Sequence, residues 1–364
     1  MAKKKPNYKF RRNLAKAFLV LIIIIPIVLI NRVKLAHLPL YLSNTKYTDI
    51  IDAMFEVQYT GSEAKNTLNY LKEKKKINDN TDDYILKLYD KGYNKNTIDY
   101  LIRNLNKSQI TDFLDKKYSK DFEEYIKLDL FKYSKYNRYI KYQEKHKDLS
   151  LEDVVIRIEL NMDKTYYEDS EFIKNPDEIT TLANKYYEIP EDYEPKDLVD
   201  MEDDYANNMY GTLTLRKEAY EKFKEMCNAS RKDGVKFYAE SAYRGYNYQN
   251  IIYKNYIDEN GQEKADKYAA RPGFSEHELG LALDLANIWT ITTKGEEYKW
   301  LTKNAYKYGY IIRYKKEWED ITGYSAESWH IRYVGVKAAN VIQKENITYE
   351  EYYAKYILTK KSSK

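Results

Sequence analysis

Cysteine occurs once in the chain, at position 227, which excludes an intramolecular disulfide and any structural metal site built on paired thiolates. A lone cysteine is more often a small buried hydrophobe than a nucleophile, so Cys227 carries no assigned chemistry. Histidine is nearly as scarce, with four residues at positions 37, 146, 277 and 330. A concentrated basic face is missing as well. The formal net charge of +4 is misleading, because residues 1–34 hold nine Lys/Arg and no acid, which leaves 52 basic residues against 57 acidic ones beyond Lys34. Binding to a nucleic-acid backbone needs clustered positive charge, and that class of function is set aside. Tyrosine is the opposite case, with 41 residues. Alongside abundant Lys, Asn and Ile it reads as the codon bias of an AT-rich genome rather than a tyrosine-specific function.

At 364 residues the chain has room for about two domains plus appendages. Seven cations, from Lys3 to Lys16, precede an apolar run at 17–30. That asymmetry holds an N-terminus in the cytoplasm and sends the remainder outward. The run is shorter than the roughly 20 residues of an ordinary spanning helix and so also matches a signal-peptide core. Leu14, Ala15 and a snorkelling Lys16 extend it, however, and NRVKLAHLPL beyond it offers no small-residue cleavage site. We therefore expect an uncleaved, single-pass signal anchor over 14–34, after a cytoplasmic basic tail at 1–13, with Pro26 kinking the helix. The protein is then expected in the cell membrane, with the bulk of the chain outside.

Residues 46–148 are expected to form a helical, repeat-like spacer. The stretch is polar and proline-poor, and Ile85, Leu88 and Tyr89 recur at helical spacing. LYDKGYNKNTIDYL (88–101) resembles FLDKKYSKDFEEYI (113–126), and Tyr59 heads a fainter copy. Each copy reads as a turn around the tyrosine followed by a short amphipathic helix. His146 is expected to be a solvated helix-end residue. Near Leu149 the texture changes: a cap-like Asp148 or Ser150 is followed by β-branched residues, then by a loop-rich passage with Pro176, Pro190 and Pro195. A helix over 214–228, a strand over 235–239 and another helix over 246–256 follow. This alternation predicts an α+β domain over 149–358, with a polar tail at 359–364.

Two short segments carry the chemistry. In SEHELGLALD (275–284) and its continuation, Leu281, Leu283 and Leu285 alternate with Ala282, Asp284 and Ala286, the period of a strand with one leucine face in the core. The other face presents Asp284, and Gly280 supplies a tight bend between the His277 loop and the strand. In ESWH (327–330), His330 and Arg332 lie on one side of a second strand, with Ile331 and Tyr333 on the other. His277, Asp284 and His330 could thus converge on one ion, and three protein ligands with an open fourth position are the pattern of a catalytic zinc site. Glu327, three residues before His330, is placed to take a proton from water. Each residue alone would more often be structural; jointly they favour a metal site.

These segments resemble the VanY-type zinc D-alanyl-D-alanine carboxypeptidases of bacterial cell walls. The pattern SxHxxGxAxD is met by Ser275, His277, Gly280, Ala282 and Asp284, and ExWH by Glu327, Trp329 and His330. RPGFSEH (271–277), GYIIRY (309–314), WHIRYVG (329–335) and SAYRGYNYQ (241–249) add flanking matches, so the likeness spans roughly 149–356. The resemblance implies a small mixed-sheet zinc peptidase domain of the VanY/hedgehog-like type. It implies one Zn2+ on His277, Asp284 and His330, with Glu327 as general base. It also implies substrate contacts from Arg244, Gln249 and Ser275, Arg244 additionally stabilising developing charge. Trp329 is expected mainly to pack the core. Glu278 and Ser328 stand where the family commonly has Gln and Pro, and the extra carboxylate beside His277 is expected to affect metal affinity or substrate preference. The implied substrate is the peptidoglycan stem peptide. An L,D-carboxypeptidase, an endopeptidase and a catalytically silent wall-binding module remain open alternatives.

Overall fold

The computed structural model describes residues 32, 34–209, 211–285 and 292–359. The expected basic tail and all but two residues of the expected anchor lie outside these, as does the C-terminal tail beyond Thr359 and Ala286. Among the described residues no helix is long and apolar enough to cross a membrane. The chain divides into two compact units between Lys127 and Leu128, ahead of the change of texture near Leu149.

The regular elements among the described residues of the first unit are all helices, and its repeats are built on capped turns. Tyr59, Tyr93 and Tyr118 each precede an N-cap residue: Thr60 for the helix Gly61–Glu73, Asn94 for Lys95–Asn104 and Ser119 for Lys120–Tyr125. Each cap's side-chain oxygen accepts a backbone N–H from the first turn, which satisfies donors the helix cannot use internally. The copies also touch one another. The Tyr59 hydroxyl donates to the Lys95 carbonyl at 3.3 Å, and the Tyr93 hydroxyl accepts the Ser119 N–H at 3.2 Å. Ile51, Leu68, Leu71, Ile85, Leu88 and Ile98 fill the interior.

In the second unit the β-branched run after Leu149 is helical, Leu151–Glu159, with Ser150 as its cap. Val154, Val155, Ile156 and Ile158 are all buried there, so tertiary packing outweighs their strand preference. His146 terminates the preceding helix, Tyr136–Lys145, and its ring stacks on Tyr142. Among the described residues eight short strands follow: β1 (Glu171–Phe172), β2 (Tyr187–Glu188), β3 (Leu198–Asp200), β4 (Thr214–Arg216), β5 (Ala239–Ser241), β6 (Ala282–Leu285), β7 (Tyr310–Tyr314) and β8 (Glu327–Tyr333). The helix expected from Thr214 starts at Lys217 because Thr214–Arg216 pairs with β3 as a strand. The strand expected over 235–239 begins only at its last residue. The helix expected from Tyr246 is present and runs on to Asn260.

The main sheet has the order β5-β6-β8-β7, and every pairing in it is antiparallel. The mixed sheet expected is met only at its edge, where Ala206 bridges Ala239 of β5 in parallel; a further parallel pairing is that of β1 with β2. Period-two alternation then sorts the sheet residues. Leu281, Leu283, Leu285, Ile331, Tyr333, Tyr310 and Ile312 join Phe223, Met226, Phe237 and Trp300 in one apolar core, which also takes in the buried Cys227. The opposite face carries Asp284, His330, Arg332 and Arg313.

The register shifts twice in this sheet, between Ala239 and Ser241 and between Ile312 and Tyr314, and the second shift builds the site. Ile312 pairs with Ile331 but Tyr314 pairs with Glu327, so β8 takes four steps where β7 takes two. Extra residues in one strand of a pair re-aim side chains locally. Tyr314 and Glu327 share parity with core residues, yet both line the same cavity as His330.

Gly280 makes the bend between the His277 turn and β6 in a left-handed conformation, φ 62°. A Cβ there would lie 3.0 Å from Arg216 Cγ and 3.1 Å from Leu198 Cδ2. Gly280→Ala is therefore expected to cost about 1–3 kcal/mol in urea unfolding, and an unchanged midpoint would show that the bend is not fixed.

Candidate metal centre and active site

His277 is placed by the single turn Glu276–Leu279, a 3-10 helix capped by Ser275. Asp284 and His330 face each other directly across the β6–β8 ladder. One ligand atom from each of the three lies within 4.8 Å of the others, and all three side chains are buried. His277 Nδ1 lies 2.7 Å from the Ala242 carbonyl. Donation to that oxygen places the lone pair on Nε2, which is buried, has no hydrogen-bond partner and lies 3.3 Å from Asp284 Oδ2. His330 Nδ1 lies 3.2 Å from Asp284 Oδ1. A buried, unpartnered imidazole nitrogen converging with a second imidazole and a carboxylate fits a divalent metal with nitrogen and oxygen ligands.

The electrostatics agree with that donor set at His277 and Asp284; His330, against the effect of burial, is pushed up to about 9 by Asp284, Glu276 and Glu327, so a metal has to displace its proton. Burial, reinforced by the Arg244 guanidinium, pushes His277 down to about 4, so its imidazole is neutral as a ligand must be. Burial would raise Asp284, but His277, His330 and Arg244 hold it well below the usual carboxylate range. Glu327, whose Oε2 lies 3.7 Å from His330 Nδ1, is pushed up to about 7, first by burial and then by the negative charge of Asp284, against the pull of His330 and Arg244. A carboxylate poised near neutrality is suited to accept a proton and return it.

These residues line a cavity of about 480 Å³ together with Arg244, Gln249, Ser275 and an aromatic wall of Tyr256, Tyr268, Tyr314, Tyr324 and Trp329. Arg244 is fixed on three sides: Nε donates to Gln249 Oε1 at 3.0 Å, and Nη1 donates to Ser241 Oγ at 2.9 Å and Asp284 Oδ2 at 3.1 Å. Among the described residues its Nη2 has no partner. Gln249 spends both ends of its amide, accepting from Arg244 and donating to the Ala270 carbonyl at 2.8 Å, so it holds Arg244 in place. The Ser275 hydroxyl accepts the His277 N–H at 3.3 Å and so shapes the turn that carries the ligand.

Trp329 does two jobs, packing against the apolar core while it lines the cavity. Glu278 stays out of the metal cluster. Its carboxylate accepts the Gly273 N–H at 2.9 Å and the Ser275 N–H at 3.2 Å, which ties down the turn. Sequence reasoning passed over Tyr314, whose ring centroid is 4.9 Å from that of His330, and Glu276, the residue between Ser275 and His277. For Glu276 the available signal was an acid beside a candidate metal-binding histidine.

Comparison with known proteins agrees with this geometry. Residues 212–336 match the family model VanY, D-alanyl-D-alanine carboxypeptidase. The chain is 42% identical over 211 residues to the putative carboxypeptidase YodJ of Bacillus subtilis (strain 168), covering 54% of this chain and 77% of that protein. It is 36% identical over 177 residues to a D-alanyl-D-alanine carboxypeptidase of Enterococcus faecium, covering 47% of this chain and 56% of the relative. Among solved structures it is similar to the LdcB LD-carboxypeptidase, at 42% identity and a TM-score of 0.48, covering 52% of this chain and 92% of the other. With the matching model falling on the residues that carry the site, the chain belongs to the VanY carboxypeptidase family.

Proposed function

We propose that the protein is a zinc-dependent D,D-carboxypeptidase that removes the C-terminal D-alanine from peptidoglycan stem peptides. The observation that carries this reading is the convergence of His277, Asp284 and His330 with Glu327 and Arg244 in one cavity. His277, Asp284 and His330 would hold the zinc, which would supply Lewis-acid polarisation of the scissile carbonyl and acidify water in the site. Glu327 takes the proton of the attacking water and delivers it to the leaving amine, so no covalent enzyme intermediate is needed. Arg244, already oriented by Gln249, Ser241 and Asp284, offers Nη2 to the terminal carboxylate or to the oxygen on which charge develops. Fixed beforehand, the guanidinium needs little reorganisation when that charge appears. Of the tyrosines lining the cavity, Tyr314 and Tyr324 are buried, whereas Tyr256 and Tyr268 are exposed.

We further propose that the N-terminal segment anchors the protein in the membrane with its catalytic domain outside, where stem peptides are found. The support is the run of seven cations ahead of an apolar stretch. The helical unit then serves as a spacer.

Product analysis by mass spectrometry on defined pentapeptide and tetrapeptide stems tests the reading of the bond. Loss of one alanine from the pentapeptide is the expected result. Trimming confined to the tetrapeptide would replace the D,D assignment with L,D activity, and zinc uptake without turnover on any stem would turn the domain into a wall-binding module.

A further inference from the structure

Resting on the metal reading above, a second carboxylate takes part in the site from outside the ligand set. Glu276 is the neighbour of His277 in the same turn, yet it points to the other histidine: its Oε2 lies 3.4 Å from His330 Nε2. His330 is thus held between two carboxylates, with Nδ1 toward Asp284 and Nε2 toward Glu276. An imidazole that gives a lone pair from Nδ1 must carry its proton on Nε2, and an ionised carboxylate can only accept that proton.

A buried carboxylate needs counter-charges, and two strands supply them. Arg313 of β7 donates through Nε to Glu276 Oε1 at 2.9 Å, and Arg332 of β8 places Nη1 3.2 Å from the same oxygen. Arg313 also donates to both oxygens of Glu350, at 3.0 and 2.5 Å, and Glu350 belongs to the short C-terminal helix Tyr349–Tyr352. All four side chains are at most 1% exposed. Two acids and two guanidiniums make a balanced buried cluster, and His330 sits at its edge.

We propose that Glu276 is a positioning residue of the metal site: its carboxylate holds the Nε2–H of His330 so that Nδ1 is presented to the metal, with Arg313, Arg332 and Glu350 balancing its charge. Ligand histidines oriented in this way bind metal more tightly, and losing the orienting group weakens affinity by about 10–100-fold.

The test measures zinc affinity by competition with a chromogenic chelator, alongside the His330 Nε2–H proton resonance of the zinc-loaded protein. Glu276→Gln and Glu276→Asp are compared with the parent chain. The aspartate keeps the charge of the cluster and withdraws the carboxylate by one methylene, so the test does not depend on the glutamine variant folding. Both variants are expected to bind zinc about 10–100-fold more weakly and to show the resonance shifted upfield and exchanging faster. A purely structural role would lower the thermal midpoint of the metal-free protein but leave zinc affinity and the resonance as in the parent; that result overturns the proposal. Absence of zinc uptake by the parent chain would remove the metal reading itself, and this one with it.

Discussion

Glu327→Ala is expected to take up zinc as the parent does while kcat on a pentapeptide stem falls by about 10²–10⁴-fold. The prediction follows from position. Glu327 is outside the three-ligand set but within 3.7 Å of His330, and its carboxyl sits near 7 because burial disfavours its charge. Removing it leaves all three ligand side chains in place and takes away the one group poised to move a proton. Zinc content by atomic absorption and turnover by D-alanine release are read on the same sample. Near-parental turnover with full zinc would remove Glu327 from the chemistry. Loss of zinc along with turnover would make it a ligand instead of a base.

The second large effect concerns Asp284. One oxygen lies 3.1 Å from Arg244 Nη1 and 3.3 Å from His277 Nε2, and the other lies 3.2 Å from His330 Nδ1. In Asp284→Asn one of these oxygens becomes an NH2 group, and the counter-ion of a partly buried guanidinium is lost. Zinc uptake is expected to be abolished at micromolar metal. In chelator, where the metal contributes nothing, unfolding is expected about 3 kcal/mol earlier than in the parent, the lower end of what breaking a buried charge pair costs. If metal-free stability is unchanged, Arg244 is held by Gln249 and Ser241 without the carboxylate.

How much of this could be read from the chain depended on how local each feature is. His277, Gly280 and Asp284 lie within one short segment, and a turn followed by an alternating strand needs only nearest-neighbour rules to place them. The strand at 327–333 was equally plain from its parity, apart from Glu327. Parity would have put that carboxylate in the core, and only the four-against-two mismatch with β7 turns it into the cavity. The antiparallel order of β5 to β8 was not legible either, since strand direction depends on how long connections close in space. The helix Leu151–Glu159 hid behind β-branched residues that only tertiary burial explains. Glu276 was hidden most deeply: its partners Arg313, Arg332 and His330 lie 37 to 56 positions away and come from two different strands. Gln249 was legible as a member of the site, but its part in it follows from two hydrogen bonds that spacing does not reveal.

Asp284 and His330 are direct cross-strand partners. Side chains on a strand alternate strictly between faces, so a pairing displaced by one residue would set Asp284 against Trp329 or Ile331 and turn the imidazole to the apolar side. On the proposed metal reading, two ligands that meet only in the native alignment would make the ion a proofreader of strand pairing. Chains whose β6 and β8 have zipped up out of step have nothing to offer it, and metal uptake during refolding would count only the molecules that have paired correctly.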